Sequence, residues 1–229
     1  ANAVAKRREQ TAVKTPYILY RRDLVATISQ AISERLTALG RRWMPELSGL
    51  LPSDILSAVH EATNGASCRT TGDAMVLAAK GFSSVLISRP VVDPEALSEL
   101  PNLAQSCELT CVVDHFRHAE LLSNALRRRQ ANARILINVE AGDQLTGVRP
   151  GPDATRLASA ASQLPGLQVV GVFIDDTTSE PQDSSRAALS MIPSFRDLQT
   201  VAAHCRRMIR STGVECRELI TGRQQIDAI

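Results

Sequence analysis

Short runs of β-branched and apolar residues alternate along the chain with longer segments in which apolar residues recur at helical spacing. From residue 42 onward this alternation is typical of repeated strand–helix units, which build a parallel sheet covered by helices. Seven such units in one direction favour a (β/α) barrel of the TIM type. The predicted strands are Trp43–Leu47, Ala66–Thr70, Ser84–Ser88, Leu109–Asp114, Arg134–Val139, Gln168–Ile174 and Glu215–Ile220.

Capping residues and apolar stripes mark the predicted helices between these strands. Pro52-Ser53-Asp54 predicts a helix start, Asn64-Gly65 predicts its end, and Gly72-Asp73 precedes a helix that runs to Lys80. The segment Phe195–Thr212 carries an apolar stripe at helical period, on which we expect Cys205 in the core and His204 packed or at the boundary. A strand at Tyr17–Tyr20 and a helix from about Asp23 to Leu39 are predicted to precede the array.

Composition describes a globular chain and excludes several classes of function. Of 229 residues, 44% are apolar and 3% aromatic, and the net charge is +2. Basic runs lack interleaved aromatic residues, which argues against nucleic-acid binding, and no apolar run approaches the roughly 18 residues needed to span a bilayer. We expect residues 1–14 to form a polar N-terminal arm and residues 15–229 a single domain. The five cysteines are expected to be buried thiols in a reducing compartment.

Two polar clusters are candidates for chemistry. Asp114, His115 and His118 follow the fourth predicted strand and could ligate a metal, but helix-capping and surface roles are favoured. A second cluster, Asp175, Asp176 and Asp183, lies on or beside a segment, Thr177–Ser190, whose composition predicts a mobile loop. The favoured interpretation of this cluster is a solvated acidic loop.

Three segments, in order, resemble the N-terminal barrel of D-threonine aldolases and D-serine dehydratases, relatives of alanine racemase. They are Thr15–Leu24; Ala66–Gly81 with Val85–Val92; and Ile137–Gly142 with Thr146–Gly151 and Leu164–Gly171. Such enzymes use pyridoxal phosphate, which a lysine on the first barrel strand bonds through its amine. The resemblance covers residues 15 to about 222.

The lysine that this resemblance implies is missing. When Pro45 is aligned with the proline of the family's Arg-Pro-His-x-Lys segment, Ser48 takes the lysine position, and serine cannot form a Schiff base. No lysine occurs from residue 15 to 79, and Lys80 is predicted at a helix end on the wrong side of a strand–helix unit. Ser48 also lacks the Gly-x-Ser-x-Gly context of an activated nucleophile.

Other pocket positions implied by the resemblance have changed as well. Leu145 replaces the arginine that reaches the cofactor ring, Ile174-Asp175 replaces the start of a Gly-Tyr-Glu-Gly stretch, and one glycine, Gly222, remains of the phosphate loop. The chain ends at Ile229, where the family would begin an eighth strand and then its C-terminal β-domain. We therefore expect an incomplete barrel, without that domain, whose vestigial pocket positions are Ser48, Leu145, Asp175 and Gly222.

Two classes of function remain open. The first is a non-catalytic pseudoenzyme with no catalytic residue, cofactor or metal, acting as an accessory subunit among other protein subunits. The second is a pyridoxal-phosphate-dependent D-amino-acid lyase or aldolase completed by another subunit, or a pyridoxal-phosphate carrier. If Ala1 marks the removal of a targeting peptide, a mitochondrial complex is expected; otherwise we expect a cytoplasmic location.

Overall fold

The computed structural model describes residues 18–140, 146–175 and 195–221, with the backbone alone for 195–199. The helices are α1 (Arg22–Ala38), α2 (Ser53–His60), α3 (Thr71–Ala79), α4 (Pro94–Ser106), α5 (Phe116–Arg127), α6 (Pro152–Ala161) and α7 (Phe195–Ser211). The strands are β1 (Gly65–Cys68), β2 (Ser84–Ile87), β3 (Glu108–Val113), β4 (Ala133–Asn138), β5 (Leu167–Ile174) and β6 (Glu218–Thr221).

The six strands form one parallel sheet in sequence order, β1 to β6. Strands added one after another on the same side are typical of a barrel, whereas a doubly wound sheet reverses its order. The segment 43–47 continues the sheet beyond β1, because the amide of Leu47 donates to the carbonyl of Ser67 (2.8 Å) and the amide of Ser67 donates to that of Pro45 (2.9 Å). The prediction of an α/β, incomplete TIM-type barrel is confirmed.

Two apolar clusters lie on opposite faces of the sheet. The larger cluster fills the space between sheet and helices, where side chains such as Leu77, Leu100 and Leu122 of α3, α4 and α5 are buried. We call the smaller one the inner cluster; it comprises Leu86, Val112, Leu136, Val170 and Phe173. Because strands of this kind are buried on both faces, their sequences are near-continuous apolar runs, and this made them recognisable.

α2 begins at Ser53, as predicted, whereas α3 begins at Thr71 and includes Gly72 and Asp73, which were predicted to precede it. The side chain of Thr70 accepts a hydrogen bond from the amide of Asp73 at the start of α3, and Asp93 does the same for the amide of Ala96 in α4. The helix predicted from Asp23 to Leu39 is α1, and the stripe at Phe195–Thr212 is α7. Among the described residues, no helix is long and apolar enough to cross a membrane.

Three predicted features differ from the structure. Residues 18–20 of the strand predicted at Tyr17–Tyr20 have no strand geometry, because none of the described strands pairs with them; Tyr17 lies outside the described residues. The first predicted strand, Trp43–Leu47, is reduced to one bridge between Glu46 and Ser67. His204 is exposed on α7, whereas its neighbour Cys205 is buried in the core as predicted.

Candidate functional site

The carboxyl ends of the strands gather most of the candidate residues at one end of the sheet, which we call the mouth. Ser48 follows the segment 43–47, Arg89 follows β2, Asp114 follows β3 and Asp175 follows β5. In barrels this end carries the chemistry, since the loops after the strands can vary without disturbing the core. Leu145 and Gly222, the other two expected pocket positions, and Asp176 and Asp183 lie outside the described residues.

Ser48 is held by Asp73 at the start of α3. Its hydroxyl donates to Oδ1 of Asp73 (3.2 Å), which also accepts from the amide of Gly49 (2.6 Å), while Oδ2 accepts from the hydroxyl of Thr70 (2.7 Å). Partial burial raises the pKa of Asp73, but the bonds from Thr70, Gly49 and Ser48 outweigh it, so that the pKa lies below its ordinary value. Ser48 therefore stays a bonded hydroxyl beside a carboxylate that remains ionised at neutral pH.

Lys80 is the one lysine among the described residues, and its amine is directed away from the mouth. It follows the last residue of α3, and its ammonium group donates to the hydroxyl of Ser53 at the start of α2. Both side chains are exposed on the helical layer. Among the described residues, the mouth thus carries the hydroxyl of Ser48 and no lysine amine. This arrangement does not fit a cofactor that is bonded covalently to residue 48.

An ion pair crosses the mouth from β2 to β5. A guanidinium nitrogen of Arg89 lies 2.9 Å from Oδ2 of Asp175, and the side chain of Asp175 is 10% exposed. In the sheet these strands are three spacings apart, about 14 Å along its surface, so the sheet must curve for the side chains to meet. The prediction of a solvated acidic loop is wrong for Asp175, because it is held inside this curve. Sequence analysis missed Arg89, although its place directly after a predicted strand was a usable signal.

Asp114, His115 and His118 serve local structure. Nδ1 of His115 accepts from the amide of Arg117 and caps α5, as the favoured interpretation predicted. Oδ2 of Asp114 accepts from the amide of Gly147 (3.2 Å), and Oδ1 lies 2.7 Å from Nδ1 of His118. Across the part of the chain that the structure describes, no three His, Cys, Asp or Glu side chains are grouped closely enough to hold a metal ion.

Gly147 shapes the loop that reaches Asp114. Its φ is +100°, and a Cβ at this position would lie 2.5 Å from the backbone nitrogen of Glu140. Only glycine tolerates this conformation together with so close a backbone approach. The loop therefore carries its amide to the carboxylate of Asp114 and ties the ends of β3 and β4 together.

The cysteines are not reactive groups of this site. Cys68, Cys111, Cys205 and Cys216 are buried, Cys107 is half-buried, and all five are free thiols. Burial raises the pKa of Cys68 and of Cys111 to about 12. At neutral pH these thiols carry almost no thiolate, the form that acts as nucleophile.

Comparisons with known proteins agree with this fold and with the resemblance. The family profile described as alanine racemase, N-terminal domain, matches residues 49–214. D-threonine aldolase of Arthrobacter sp is 25% identical over 171 residues, which are 75% of this chain and 44% of that protein. Relatives extend well beyond the matched region.

Solved structures give the same result. The crystal structure of D-threonine aldolase from Filomicrobium marinum is 25% identical with a TM-score of 0.79, over 91% of this chain and 56% of that one. D-threo-3-hydroxyaspartate dehydratase from Delftia sp. HT23 shares the fold at 19% identity and a TM-score of 0.69, over 92% and 60% of the two chains. This chain thus spans about half the length of the relatives that it matches.

These matches correct one expectation. We expected no cofactor, but the family to which the matches point binds pyridoxal phosphate. That expectation rested on lost contacts at single positions, whereas the matches extend over most of the chain. At the mouth, the described residues include Ser48 and no lysine.

Proposed function

Since the chain belongs to the alanine racemase N-terminal domain family, we propose that it is a non-catalytic member of that family and serves as an accessory subunit of a larger protein assembly. The observation that carries the proposal is Ser48, which the resemblance aligns with the family's lysine and which is bonded to Asp73. A hydroxyl cannot replace an amine that bonds the cofactor and then moves protons.

The Arg89–Asp175 pair supports the same proposal. A cofactor that entered between β2 and β5 would compete with this ion pair, in which the side chain of Asp175 is 10% exposed and that of Arg89 is 32% exposed. Breaking such a pair leaves one charge desolvated and without its partner, which is costly. The pair is thus suited to keeping the two sides of the curved sheet together.

An exposed apolar surface supports the role of subunit. Ile18, Leu19 and Tyr20 precede α1 and are exposed, as are Leu24 and Ile28 within it. Leu24 and Ile28 are one helical turn apart and therefore lie on the same face of α1. Exposed apolar side chains grouped on one helix face are typical of sites that another protein covers.

Reduction with borohydride tests the proposal directly. The purified protein is incubated with pyridoxal phosphate, reduced, digested and analysed for pyridoxyl-lysine by mass spectrometry. We expect no stoichiometric adduct in the Lys80→Arg variant, which removes surface labelling at that exposed amine. A stoichiometric adduct in this variant, or turnover of D-threonine, would overturn the non-catalytic role. Non-covalent binding of pyridoxal phosphate is compatible with the proposal.

The similarity to D-threonine aldolases favours a second candidate, a D-amino-acid lyase or aldolase whose amine comes from another subunit. The two candidates differ in one measurement. If the isolated assembly consumes D-threonine and a reducible adduct forms on a partner chain, the second candidate is correct. If the assembly is inactive, the accessory role stands.

A further inference from the structure

A polar layer lies beside the inner cluster, at the amino-terminal end of the sheet. Side chains alternate along a strand, so a residue two positions before a member of the cluster faces the same side. Five polar side chains meet this condition, because the residue two positions after each belongs to the inner cluster or packs against it. They are Ser84 of β2, Glu108 of β3, Arg134 of β4, Glu218 of β6 and Arg42, which precedes the segment 43–47.

Arg134 joins strands on both sides of its own. Its Nη1 pairs with Glu108 of β3, and its Nη2 pairs with Glu218 of β6. Because β5 lies between β4 and β6, the second pair crosses two strand spacings, about 10 Å along the sheet. The side chain of Arg134 is 18% exposed, so both pairs are partly shielded from solvent.

Glu218 continues the layer to the opposite edge of the sheet. The oxygen that pairs with Arg134, Oε1, also accepts a hydrogen bond from a guanidinium nitrogen of Arg42 (2.8 Å). At the other end of the layer, the hydroxyl of Ser84 donates to Oε1 of Glu108 (3.2 Å). An unbroken series of polar contacts therefore runs across the inside of the curved sheet, from β2 to the residue that precedes the segment 43–47.

β6 depends on these contacts more than the other strands do. Its four residues are half-buried, whereas all four residues of β1 are buried. Among the described strands, β6 pairs with β5 alone. Because less apolar surface is buried at β6, the ionic contacts of Glu218 supply a larger share of what holds this strand in place.

We propose that Arg42, Glu218, Arg134 and Glu108 form an ionic latch, which holds β6 in place across the open side of the sheet. When Glu218 is released, β6 separates locally from β5 while β1 to β4 remain folded. Dissolved salt screens the pair between Arg42 and Glu218, because the side chain of Arg42 is exposed. The latch thus makes the conformation of β6 sensitive to ionic strength, whether or not the chain binds a cofactor.

Hydrogen–deuterium exchange of the purified chain at two salt concentrations tests the latch. The amide of Arg217, directly before β6, donates to the carbonyl of Val170 (2.8 Å) and reports on β6. The amide of Ser88, directly after β2, donates to the carbonyl of Cys68 (2.8 Å) and is the reference. From about 0.1 M to about 1 M sodium chloride the Debye length falls from about 10 Å to about 3 Å. Exchange at Arg217 should then accelerate about two- to fivefold relative to Ser88.

Two variants release the latch at low salt. Arg42→Met removes one exposed ion pair, so the amide of Arg217 should exchange up to about fivefold faster. Glu218→Gln should accelerate this exchange at least about tenfold, because it also leaves the partly buried Arg134 without one of its two carboxylates.

Arg69→Met is the matched control. It removes an exposed ion pair of the same kind, with Glu46 (2.8 Å), at the other end of the sheet. Exchange at Arg217 should stay unchanged in this variant. In a chain that already carries Glu218→Gln, adding Arg42→Met should have no further effect, since the two residues act through one contact.

Three results would each overturn the latch. The first is equal exchange at Arg217 in low and high salt. The second is an equal acceleration at Arg217 and Ser88, which would show unfolding of the whole sheet instead of release of β6. The third is an effect of Arg42→Met that persists in full in the Glu218→Gln background.

Discussion

Gly171 of β5 pairs with Glu218 of β6, and replacing it with alanine tests the packing of β6. A Cβ at this position would lie 2.3 Å from the carbonyl oxygen of Glu218 and 2.7 Å from its carbonyl carbon. Ordinary contacts begin near 3.4 Å, so the two strands must separate by about 1 Å. Because the atom in contact is backbone, no side-chain rotation relieves it.

The cost should lie at the upper end of the range for overpacking, about 3 kcal/mol. In a domain of this size, 1 kcal/mol changes Tm by about 2–4 °C, so Gly171→Ala should lower Tm by about 6–12 °C. Gly72→Ala is the matched control, because its Cβ meets only the hydroxyl of Thr70 at 3.9 Å. That variant should gain about 0.4–1 kcal/mol through lower entropy of the unfolded chain.

Thermal unfolding followed by circular dichroism measures both variants, and hydrogen exchange locates the change. Gly171→Ala should exchange faster at β6 than at β1 or β2, because the strain acts at the end of the sheet. If Gly171→Ala remains within about 0.5 kcal/mol of the parent protein, the close approach of β5 and β6 is refuted.

Three further predictions concern the mouth. Ser48→Lys should form a pyridoxyl adduct at residue 48 after borohydride reduction, measured by mass spectrometry; an unmodified amine at that position in the variant would contradict its place at the mouth. Asp175→Asn should lower the free energy of unfolding, measured by urea titration, by about 1–3 kcal/mol, because it leaves the partly buried Arg89 without its carboxylate partner. The control Asp153→Asn removes an exposed ion pair and should lower the free energy of unfolding by less than about 1 kcal/mol. The pKa of Asp73 in the folded state lies below its ordinary 3.8, so its contribution to stability is present above that value and is lost as pH falls through the folded pKa. Asp73→Asn should therefore reduce the loss of folding free energy at acidic pH. An unchanged loss would count against the hydrogen bonds around this carboxylate.

Much of the fold could be predicted because its signals are local. Strands such as β4 were found within one residue, since residues buried on both faces leave a continuous apolar run. The start of α2 was found at Ser53, because proline followed by a serine and an acidic residue is typical of a first helical turn. The prediction failed at 18–20 and at 43–47, where strand formation depends on a neighbouring edge rather than on local sequence.

The site was predicted less completely. Ser48 was identified because a resemblance defined the position at which a lysine was missing. Arg89 was not identified, since nothing near it in sequence indicates a partner 86 residues away at Asp175. The bond from Ser48 to Asp73 was not predicted for the same reason, and Asp175 was assigned to solvent although its side chain is only 10% exposed.

The sequence by itself determined the alternation of strands and helices from β1 to β6, the apolar stripe of α7 and the absence of lysine from residue 15 to 79, because each depends on residue types at short spacing. Only the tertiary structure decided which mouth residues meet. Those contacts depend on the curvature of the sheet, which accumulates over six strands and brings distant positions together.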